Sequence, residues 1–242
     1  MNAKVREDNT ILSEGVSFYE DVEIGPFCLI GKPSLPFSNT HIGPYSTIRS
    51  HTIIYEDVTI GGFFSTGHFV TIREKTDIGV GCQIGSYSII EGNVQIGDGV
   101  RTQSGVQVSP GTQIGDFVQI FPNVQFTNDP LPPSGVVKGI TVEPLAVIAT
   151  RVILLPGITV GMGSYITAGS VVESDVEPCM VYAGNPAKKL FPVSKLRSYK
   201  HGINFIKWTS TMKERYPEQI RGRLQELERQ RNQYLTEYVS IS

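Results

Sequence analysis

Large apolar residues recur at every sixth position over the first half of the chain. Seventeen of the twenty residues taken at this spacing from Leu12 to Phe126 are large and apolar. The position four residues later is restricted too, because eighteen of its nineteen members from Val16 to Val124 are Val, Cys, Ser or Thr. An amphipathic helix repeats about every 3.6 residues and a strand about every 2, so neither makes this pattern. A short strand followed by a tight corner, repeated along the chain, does.

Glycine often follows the large apolar residue, as at Gly43, Gly79, Gly97 and Gly115. Glycine adopts positive φ without a steric cost. We therefore expect these glycines to form the corners between successive strands.

The six-residue register breaks once, between Phe126 and Val142. This step is sixteen residues long, and the segment 127–141 contains three prolines and two glycines. Such a composition is typical of a loop. A loop that leaves a regular repeat lies on one face of it, which is often the binding face.

The hexad pattern [Ile/Val/Leu]-[Gly/Ala/Glu/Asp]-x-x-[Ser/Thr/Ala/Val]-x resembles the repeat of the left-handed parallel β-helix acyltransferases over about residues 12–190. The resemblance implies a mainly β fold, a left-handed parallel β-helix with three hexads in each coil, and a homotrimer. We expect a β-helix domain at 1–190 and a C-terminal α-helical extension at 191–242. Pro217, Ile220, Leu224 and Leu227 follow helical spacing and support this extension.

Composition and charge narrow the class of protein. Hydrophobic residues are 40% of the chain and charged residues 18%, a globular balance. Because no apolar run reaches about 18 residues and the start MNAKVREDNT lacks a signal-peptide core, we expect a cytoplasmic protein with no membrane span. Residues 1–187 carry a net charge of −9 and residues 188–242 one of +7. The basic segment either meets phosphates or, as we expect, is a solvated helix that caps the open end of the β-helix. It lacks interleaved stacking aromatics, which argues against nucleic acid.

The cysteines and histidines predict neither disulfides nor a metal site. Cys28 and Cys82 occupy the small inward position three coils apart, which corresponds to roughly 14 Å at 4.8 Å per coil. We therefore expect buried free thiols. His41, His51 and His68 are separated by 10 and 17 residues, a spacing that does not resemble the three-histidine zinc site of the γ-type carbonic anhydrases.

Two short segments carry a closer resemblance. Gln103-Ser104-Gly105-Val106 and Phe126-Thr127-Asn128 are similar to segments of nucleotide-sugar N-acetyltransferases. These enzymes use acetyl-CoA to acetylate an amino group on a UDP- or dTDP-linked sugar for surface polysaccharide such as lipopolysaccharide O-antigen, at sites between subunits. The resemblance implies catalytic roles for Asn128 and Asp129, substrate contacts at Gln103, His68, Arg73 and Phe126, and acetyl-CoA contacts at Ala149, Ala168, Gly169, Ser170 and Lys188.

The loop contains no histidine, which bears on the type of nucleophile. A hydroxyl needs a general base in the transition state, whereas a neutral amine is already nucleophilic. His68 is 60 residues from Asn128, or roughly 16 Å along the axis, and Gln103 is roughly 7 Å from it by the same spacing. His68 is therefore too distant to act as base for an amine at Asn128. An O-acetyltransferase of a sugar or small alcohol and a non-catalytic structural protein remain alternatives.

Overall fold

The chain winds into a three-sided β-helix, in which successive coils stack and each side is a β-sheet. The computed structural model describes residues 4–5, 9–33 and 38–239, without the side chains of Lys4, Val5 and Tyr199. Face 1 is an eleven-stranded sheet made of β1 (Lys4–Val5), β4 (Glu23–Ile24), β7 (Thr47–Ile48), β10 (Ser65–Thr66), β13 (Gln83–Ile84), β16 (Arg101–Thr102), β19 (Gln119–Ile120), β22 (Val147–Ile148), β25 (Tyr165–Ile166), β27 (Met180–Gly184) and β28 (Ala187–Pro192).

The other two faces are wholly parallel. Face 2 has nine strands: β2 (Ile11–Leu12), β5 (Leu29–Lys32), β8 (Ile53–Tyr55), β11 (Thr71–Ile72), β14 (Ile89–Ile90), β17 (Gln107–Val108), β20 (Gln125–Phe126), β23 (Ile153–Leu154) and β26 (Val171–Val172). Face 3 has eight strands: β3 (Val16–Phe18), β6 (Thr40–Ile42), β9 (Val58–Ile60), β12 (Thr76–Ile78), β15 (Val94–Ile96), β18 (Gln113–Ile114), β21 (Thr141–Val142) and β24 (Thr159–Val160).

A C-terminal segment follows the last hairpin, β27–β28. It contains an antiparallel pair, β29 (Arg197–Ser198) and β30 (Ile203–Asn204), and the helices α1 (Trp208–Met212) and α2 (Glu218–Tyr234). Short 3₁₀ turns lie at Val193–Lys195, Tyr199–His201, Phe205–Lys207 and Lys213–Arg215, and a π-helical turn at Leu235–Val239 ends the described chain. The β-helix with a C-terminal helical segment that the sequence predicts is thus confirmed.

The inward positions form one continuous core, as the hexad pattern predicts. The large apolar slot is buried from Ile24 to Phe126 wherever the structure describes it, and the smaller slot is buried from Val22 to Val124. Ser34 and Pro36, which belong to the predicted pattern, lie outside the described residues. Each buried Ile or Val side chain contributes about 1.5–3 kcal/mol, so the stack of coils is stabilised along its whole length.

Two coils are longer than the usual 18 residues by six residues or more. Val16 pairs with Thr40, so the first of these coils holds six extra residues. Gln125 pairs with Ile153, which places ten extra residues in the loop that the sequence predicts. The first insertion is hidden in the sequence because its length equals one hexad and leaves the register unchanged.

This hidden insertion corrects the geometry expected for two cysteines. Cys28 follows β4 and Cys82 precedes β13, and both strands belong to face 1. The two thiols therefore lie at different corners, rather than directly above each other three coils apart. The predicted chemistry is confirmed, since Cys28, Cys82 and Cys179 are all free and buried.

The glycines after the apolar slot have a different role from the one we expected. Gly43 does not have positive φ. A Cβ there would lie 2.4 Å from the backbone nitrogen of Gly62, so glycine is required by the close approach of the next coil. The corners with positive φ lie two residues further on, and many of them are aromatic, as at Tyr45 (φ 58°) and Phe69 (φ 58°). The prediction that these glycines form positive-φ corners was wrong.

Helix α2 lies along the side of the β-helix and does not cap its end. Ile220, Leu224 and Leu227 pack with Phe117 and Leu145 in one apolar cluster. Pro217, just before α2, lies against Gly81, and Arg231 within α2 lies against Gly163. The C-terminal segment therefore spans several consecutive coils. The expected end cap was wrong because the apolar stripe of α2 meets apolar corner residues along the axis.

Candidate active site

The predicted site residues occupy two of the three corners of the β-helix. Corner 1–2, where each coil passes from face 1 to face 2, includes residues 67–70, 103–106 and 167–170. Corner 2–3, from face 2 to face 3, includes residues 73–75 and the loop 127–140. Corner 3–1 is the corner on which Ile220 and Leu224 of α2 pack.

His68 and Gln103 lie at corner 1–2, and both are exposed. The Nδ1 atom of His68 is 2.9 Å from the Ser50 hydroxyl, and the His68 backbone N–H donates to the Ser86 hydroxyl at 2.9 Å. These contacts fix the imidazole at the corner. The Gln103 side chain makes no hydrogen bond to the part of the chain that the structure describes.

The residues expected to meet acetyl-CoA lie further along corner 1–2, but they are not equally accessible. Ala168 and Gly169 are exposed, and a Cβ placed on Gly169 would have nothing within 4 Å. Ala149 is buried, with 8% of its surface exposed. The buried Ser170 hydroxyl donates to Thr167 O at 2.8 Å and accepts from Gly184 N at 3.2 Å. Ser170 therefore ties the β27–β28 hairpin to the coil, which argues against a direct cofactor contact by its side chain.

Lys188 is exposed in β28, the last strand of face 1. Its Cα partner across the hairpin is Ala183. The neighbouring Lys189 forms an ion pair with Glu177 at 2.9 Å. Of these two cations, Lys188 is the one that the described structure leaves without an ion pair.

The loop at corner 2–3 begins with Asn128, which is half-buried. Its carbonyl oxygen accepts a hydrogen bond from Lys138 N at 2.8 Å, which closes the base of the loop. Within the described residues, the Asn128 amide group has no hydrogen-bond partner. The backbone of Asn128 is thus fixed while its side chain stays available.

Asp129 is committed to the loop itself. Its carboxylate accepts from Leu131 N at 3.0 Å and Ser134 N at 2.8 Å, and also from the Ser134 hydroxyl. The hydrogen bond from Ser134 lowers the pKa of Asp129. A carboxylate held in this way organises the turn and is a weak proton acceptor, so its geometry favours a structural role over the expected catalytic one.

Phe126 does not face a substrate. Its side chain is 1% exposed and belongs to the core. Phe126 is itself a member of the large apolar slot, so its inward register and its burial argue against the predicted substrate contact.

Arg73 lies at corner 2–3 beside a groove of about 390 Å³ lined by Arg73, Glu74, Lys75, Glu91, Asn93 and Pro110. Its guanidinium forms an ion pair with Glu74 at 2.6 Å and lies 5.6 Å from the centre of the Tyr55 ring. Arg73 is therefore already partnered by a carboxylate, which weakens its expected contact with the substrate.

One chain does not bring the predicted residues together. His68 precedes β11 and Asn128 follows β20, three strand spacings away on face 2, or about 14 Å along the axis. Gln103 is one strand spacing from Asn128, but it lies at the opposite edge of face 2. The expected separation of His68 from Asn128 agrees with this topology.

Corner 1–2 also carries a row of exposed rings that the hexad pattern did not predict. Phe27, His51, Phe69 and Tyr87 all have positive φ and succeed one another in neighbouring coils. The sequence did contain a signal for this row: in each of these four coils, the residue just before the small inward residue at this corner is aromatic. We call these four residues the aromatic ladder.

The described residues contain no group of three or more His, Cys, Asp or Glu side chains arranged to hold a metal ion. His41 contacts the Ser17 hydroxyl on face 3, whereas His51 stacks in the aromatic ladder. In the ranges that the structure describes, no helix has the length and apolar character to cross a membrane.

No family model matches the chain. A putative acetyltransferase from Schizosaccharomyces pombe is 45% identical over 51 residues, which are 21% of this chain and 23% of that protein. A chloramphenicol acetyltransferase from Agrobacterium fabrum is 46% identical over 43 residues, 18% of this chain and 21% of that protein. The matched segments therefore span less than a quarter of these curated relatives.

Solved structures share the fold over nearly the whole chain. A UDP-N-acetylglucosamine acyltransferase from Campylobacter jejuni has a TM-score of 0.61 at 15% identity, covering 97% of this chain and 96% of that one. The corresponding Arabidopsis protein has a TM-score of 0.51 at 17% identity, covering 97% and 93%. The chain thus has the fold of these structures.

Proposed function

We propose that this chain is an acyltransferase that transfers the acetyl group of acetyl-CoA to the amino group of a UDP- or dTDP-linked amino sugar. Short segments similar to acetyltransferases support the donor. The shared fold with UDP-N-acetylglucosamine acyltransferases supports a nucleotide-linked sugar as acceptor. The product belongs to surface polysaccharide such as lipopolysaccharide, and the reaction takes place in the cytoplasm, where acetyl-CoA is supplied.

The observation that carries this proposal is the state of the loop at corner 2–3. Asn128 has an amide group without a partner among the described side chains, on a backbone fixed by Lys138 N. The loop offers no histidine, and the carboxylate of Asp129 is bound to Ser134. A site with a polar amide and without a free base suits an amine nucleophile better than a hydroxyl.

The chemistry is direct transfer. The neutral amine nitrogen attacks the thioester carbonyl, the new C–N bond forms and the C–S bond breaks. The amine proton ends on the departing thiolate, whose pKa is about 8.5, and gives the free thiol. The Asn128 amide holds the amine or donates to the developing oxyanion, a contribution that typically reaches about 10²–10³ in rate.

A homotrimer completes the site in this proposal. Gln103 and His68 lie at corner 1–2 and Asn128 lies at corner 2–3, so one copy alone leaves them on opposite edges of face 2. Corner 1–2 of one copy facing corner 2–3 of the next would join them. The exposed Ala168 and Gly169 then provide a smooth wall for the pantetheine chain, with Lys188 near the phosphates.

The alternative acceptor is a hydroxyl. The similarity to a chloramphenicol acetyltransferase over 43 residues favours it. It requires a base, and His68 is the exposed histidine nearest to Gln103 on corner 1–2. Loss of all turnover in His68→Ala, with Asn128→Ala unaffected, would favour this alternative.

A ligand-dependent shift of melting temperature provides the test, because a ligand that binds only the folded state stabilises it. The full chain is heated with acetyl-CoA, with each of a panel of UDP- and dTDP-amino sugars, and with their N-acetylated products. We expect acetyl-CoA and one amino sugar to raise the midpoint. Stabilisation by none of them would contradict the proposal and favour a structural protein.

A further inference from the structure

The aromatic ladder is a continuous stack of rings on the surface. The ring centroids of Phe27 and His51 are 4.9 Å apart, those of His51 and Phe69 4.4 Å, and those of Phe69 and Tyr87 5.2 Å. Phe69 and Tyr87 are parallel within 4°. Tyr87, the last ring, is 66% exposed. The stack therefore ends in a flat ring that presents one face along the helix axis.

The next rung after Tyr87 is missing. The same backbone hydrogen bond to the preceding coil is made by Tyr87 N to His68 O, by Gly105 N to Ser86 O and by Asn123 N to Ser104 O. Gly105 thus occupies the ladder position of the following coil, with no side chain. Its φ of +71° is in the same region as that of Tyr87, 62°.

The amide oxygen of Asn123, the residue in the next ladder position, reaches into this gap. A Cβ built on Gly105 would lie 2.5 Å from Asn123 Oδ1, and this side chain is the only group that it would closely meet among the described residues. Arg151 occupies the ladder position one coil beyond Asn123 and is exposed. Its guanidinium has no hydrogen bond or ion pair with the described part of the chain.

Corner 3–1 shows what happens at such a gap elsewhere in the same molecule. The rings of Tyr45 and Phe63 lie there 5.0 Å apart at an interplanar angle of 32°, and the next two ladder positions are Gly81 and Gly99. The C-terminal segment fills the first gap, with Pro217 2.9 Å from the Cβ position of Gly81. At Gly99 the Phe117 ring of the next coil comes within 2.5 Å of the Cβ position, and Tyr216 of the C-terminal segment lies 3.2 Å from it. A glycine in a ladder position therefore leaves space that a side chain from elsewhere in the molecule occupies.

We propose that the gap at Gly105 binds the nucleobase of the acceptor, a nucleoside diphosphate, with the base stacked on Tyr87. This inference rests on the proposed function and names the subsite for the nucleotide. The exposed Asn123 side chain moves out of the gap when the base enters, and its amide then hydrogen-bonds the edge of the base. Arg151 lies two coils from the gap, about 10 Å at 4.8 Å per coil, and binds the diphosphate, since a guanidinium matches phosphate geometry.

Position along the corner favours the acceptor over the nucleotide end of CoA. The exposed Ala168 and Gly169, proposed to contact acetyl-CoA, lie at the far end of corner 1–2, with Gly169 three coils from Gly105. The amino sugar must meet the thioester between the two ligands. An acceptor nucleotide on the Gly105 side and CoA on the Gly169 side satisfy this order.

Three variants and one control test the inference by calorimetric titration of the full chain with UDP, dTDP and adenosine 3′,5′-bisphosphate, the nucleotide end of CoA. Tyr87→Ala removes the stacking ring, and we expect a loss of affinity for UDP or dTDP of roughly five- to a hundred-fold, the effect of stacking one base. Gly105→Tyr fills the gap with a protein ring, and we expect it to abolish binding. Phe27→Ala removes another exposed ring, at the far end of the ladder, and should change nothing.

Arg151→Ala supplies an independent readout. Loss of a phosphate contact should weaken binding and also make it less dependent on salt concentration, whereas Tyr87→Ala should leave the salt dependence unchanged. Circular dichroism confirms that each variant is folded. In Gly105→Tyr the introduced side chain sits on a backbone φ that Tyr87 and Phe69 already adopt, and only the flexible, exposed Asn123 side chain has to move.

Several results would overturn the inference. Absence of nucleotide binding by the unaltered chain would do so, and so would affinities in Tyr87→Ala and Gly105→Tyr equal to that of the unaltered chain. Loss confined to adenosine 3′,5′-bisphosphate would assign the gap to CoA instead. A change in sedimentation mass in Gly105→Tyr, without nucleotide binding by any form, would show a contact between copies. Thiol release from acetyl-CoA is measured separately, so failure of the proposed reaction is distinguished from failure of this subsite.

Discussion

Replacement of Asn128 by alanine tests the chemistry of the loop with little disturbance of its shape. The backbone bond from Lys138 N to Asn128 O, 2.8 Å long, is retained. The amide that is removed makes no hydrogen bond with any described residue. We therefore expect a change in the free energy of unfolding within about 0.5 kcal/mol, as for other surface substitutions of this type.

The expected effect on catalysis is much larger. A single amide that contacts the reacting atoms typically contributes about 10²–10³ in kcat, or about 2.7–4 kcal/mol. His68 lies three strand spacings from Asn128 at the other edge of face 2. His68→Ala should therefore reduce turnover much less than Asn128→Ala.

The assay follows thiol release from acetyl-CoA with the amino sugar that stabilises the protein, and calorimetry reports the affinity for acetyl-CoA. Gln95→Ala, an exposed polar position in β15 on face 3, serves as the matched control and should retain full activity. Equal and nearly complete losses in Asn128→Ala and His68→Ala would refute the spacing argument. Unchanged turnover in Asn128→Ala would remove the loop from the mechanism.

Four further predictions concern the framework. Gly43→Ala should destabilise the protein by about 1–3 kcal/mol through overpacking, because its Cβ would lie 2.4 Å from Gly62 N. Gly222→Ala in α2, where a Cβ would meet nothing within 4 Å, should stabilise the protein by about 1 kcal/mol. A melting temperature higher in Gly43→Ala than in Gly222→Ala would contradict both predictions. Leu224→Ala should cost about 2–5 kcal/mol and shift the fluorescence of the single tryptophan, Trp208, in the same cluster; an unchanged spectrum and urea midpoint would disprove this packing. Burial raises the pKa of the Cys82 thiol from 9.0 to about 12. Because the unfolded thiol ionises first, stability should fall as pH rises across this interval, and Cys82→Ser should flatten that fall in pH-dependent urea titrations.

The fold could largely be predicted from the sequence because all its coils follow one packing rule. Each coil needs a large and a small inward residue at fixed spacing, and the described hexads from Ile24 to Phe126 keep this pattern with three exceptions, Phe64, Thr66 and Thr102. The extra residues between Val16 and Thr40 escaped because a six-residue insertion preserves the register. The role of Gly43 escaped because close approach between coils is a contact between distant positions, which periodicity does not encode.

The candidate site could be predicted only partly from the sequence. Asn128 became a candidate through the resemblance of Phe126-Thr127-Asn128, and its catalytic role stays a prediction; its amide has no hydrogen-bond partner among the described residues. Phe126 belongs to the same resembling segment, but its place in the large apolar slot already predicts the buried side chain that the structure has. The gap at Gly105 depends on the Tyr87 ring of the preceding coil. The sequence alone shows only a glycine there, and the structure is needed to show that it follows a stack of rings.

Identification of the acylated product tests the central claim most directly. Acetyl-CoA is incubated with the stabilising UDP- or dTDP-amino sugar, the free thiol is titrated, and the product is analysed by mass spectrometry and nuclear magnetic resonance. The account predicts one thiol released for each sugar converted, with the acetyl group in an amide on the sugar nitrogen. An ester on a sugar hydroxyl, or thiol release without an acetylated sugar, would contradict it.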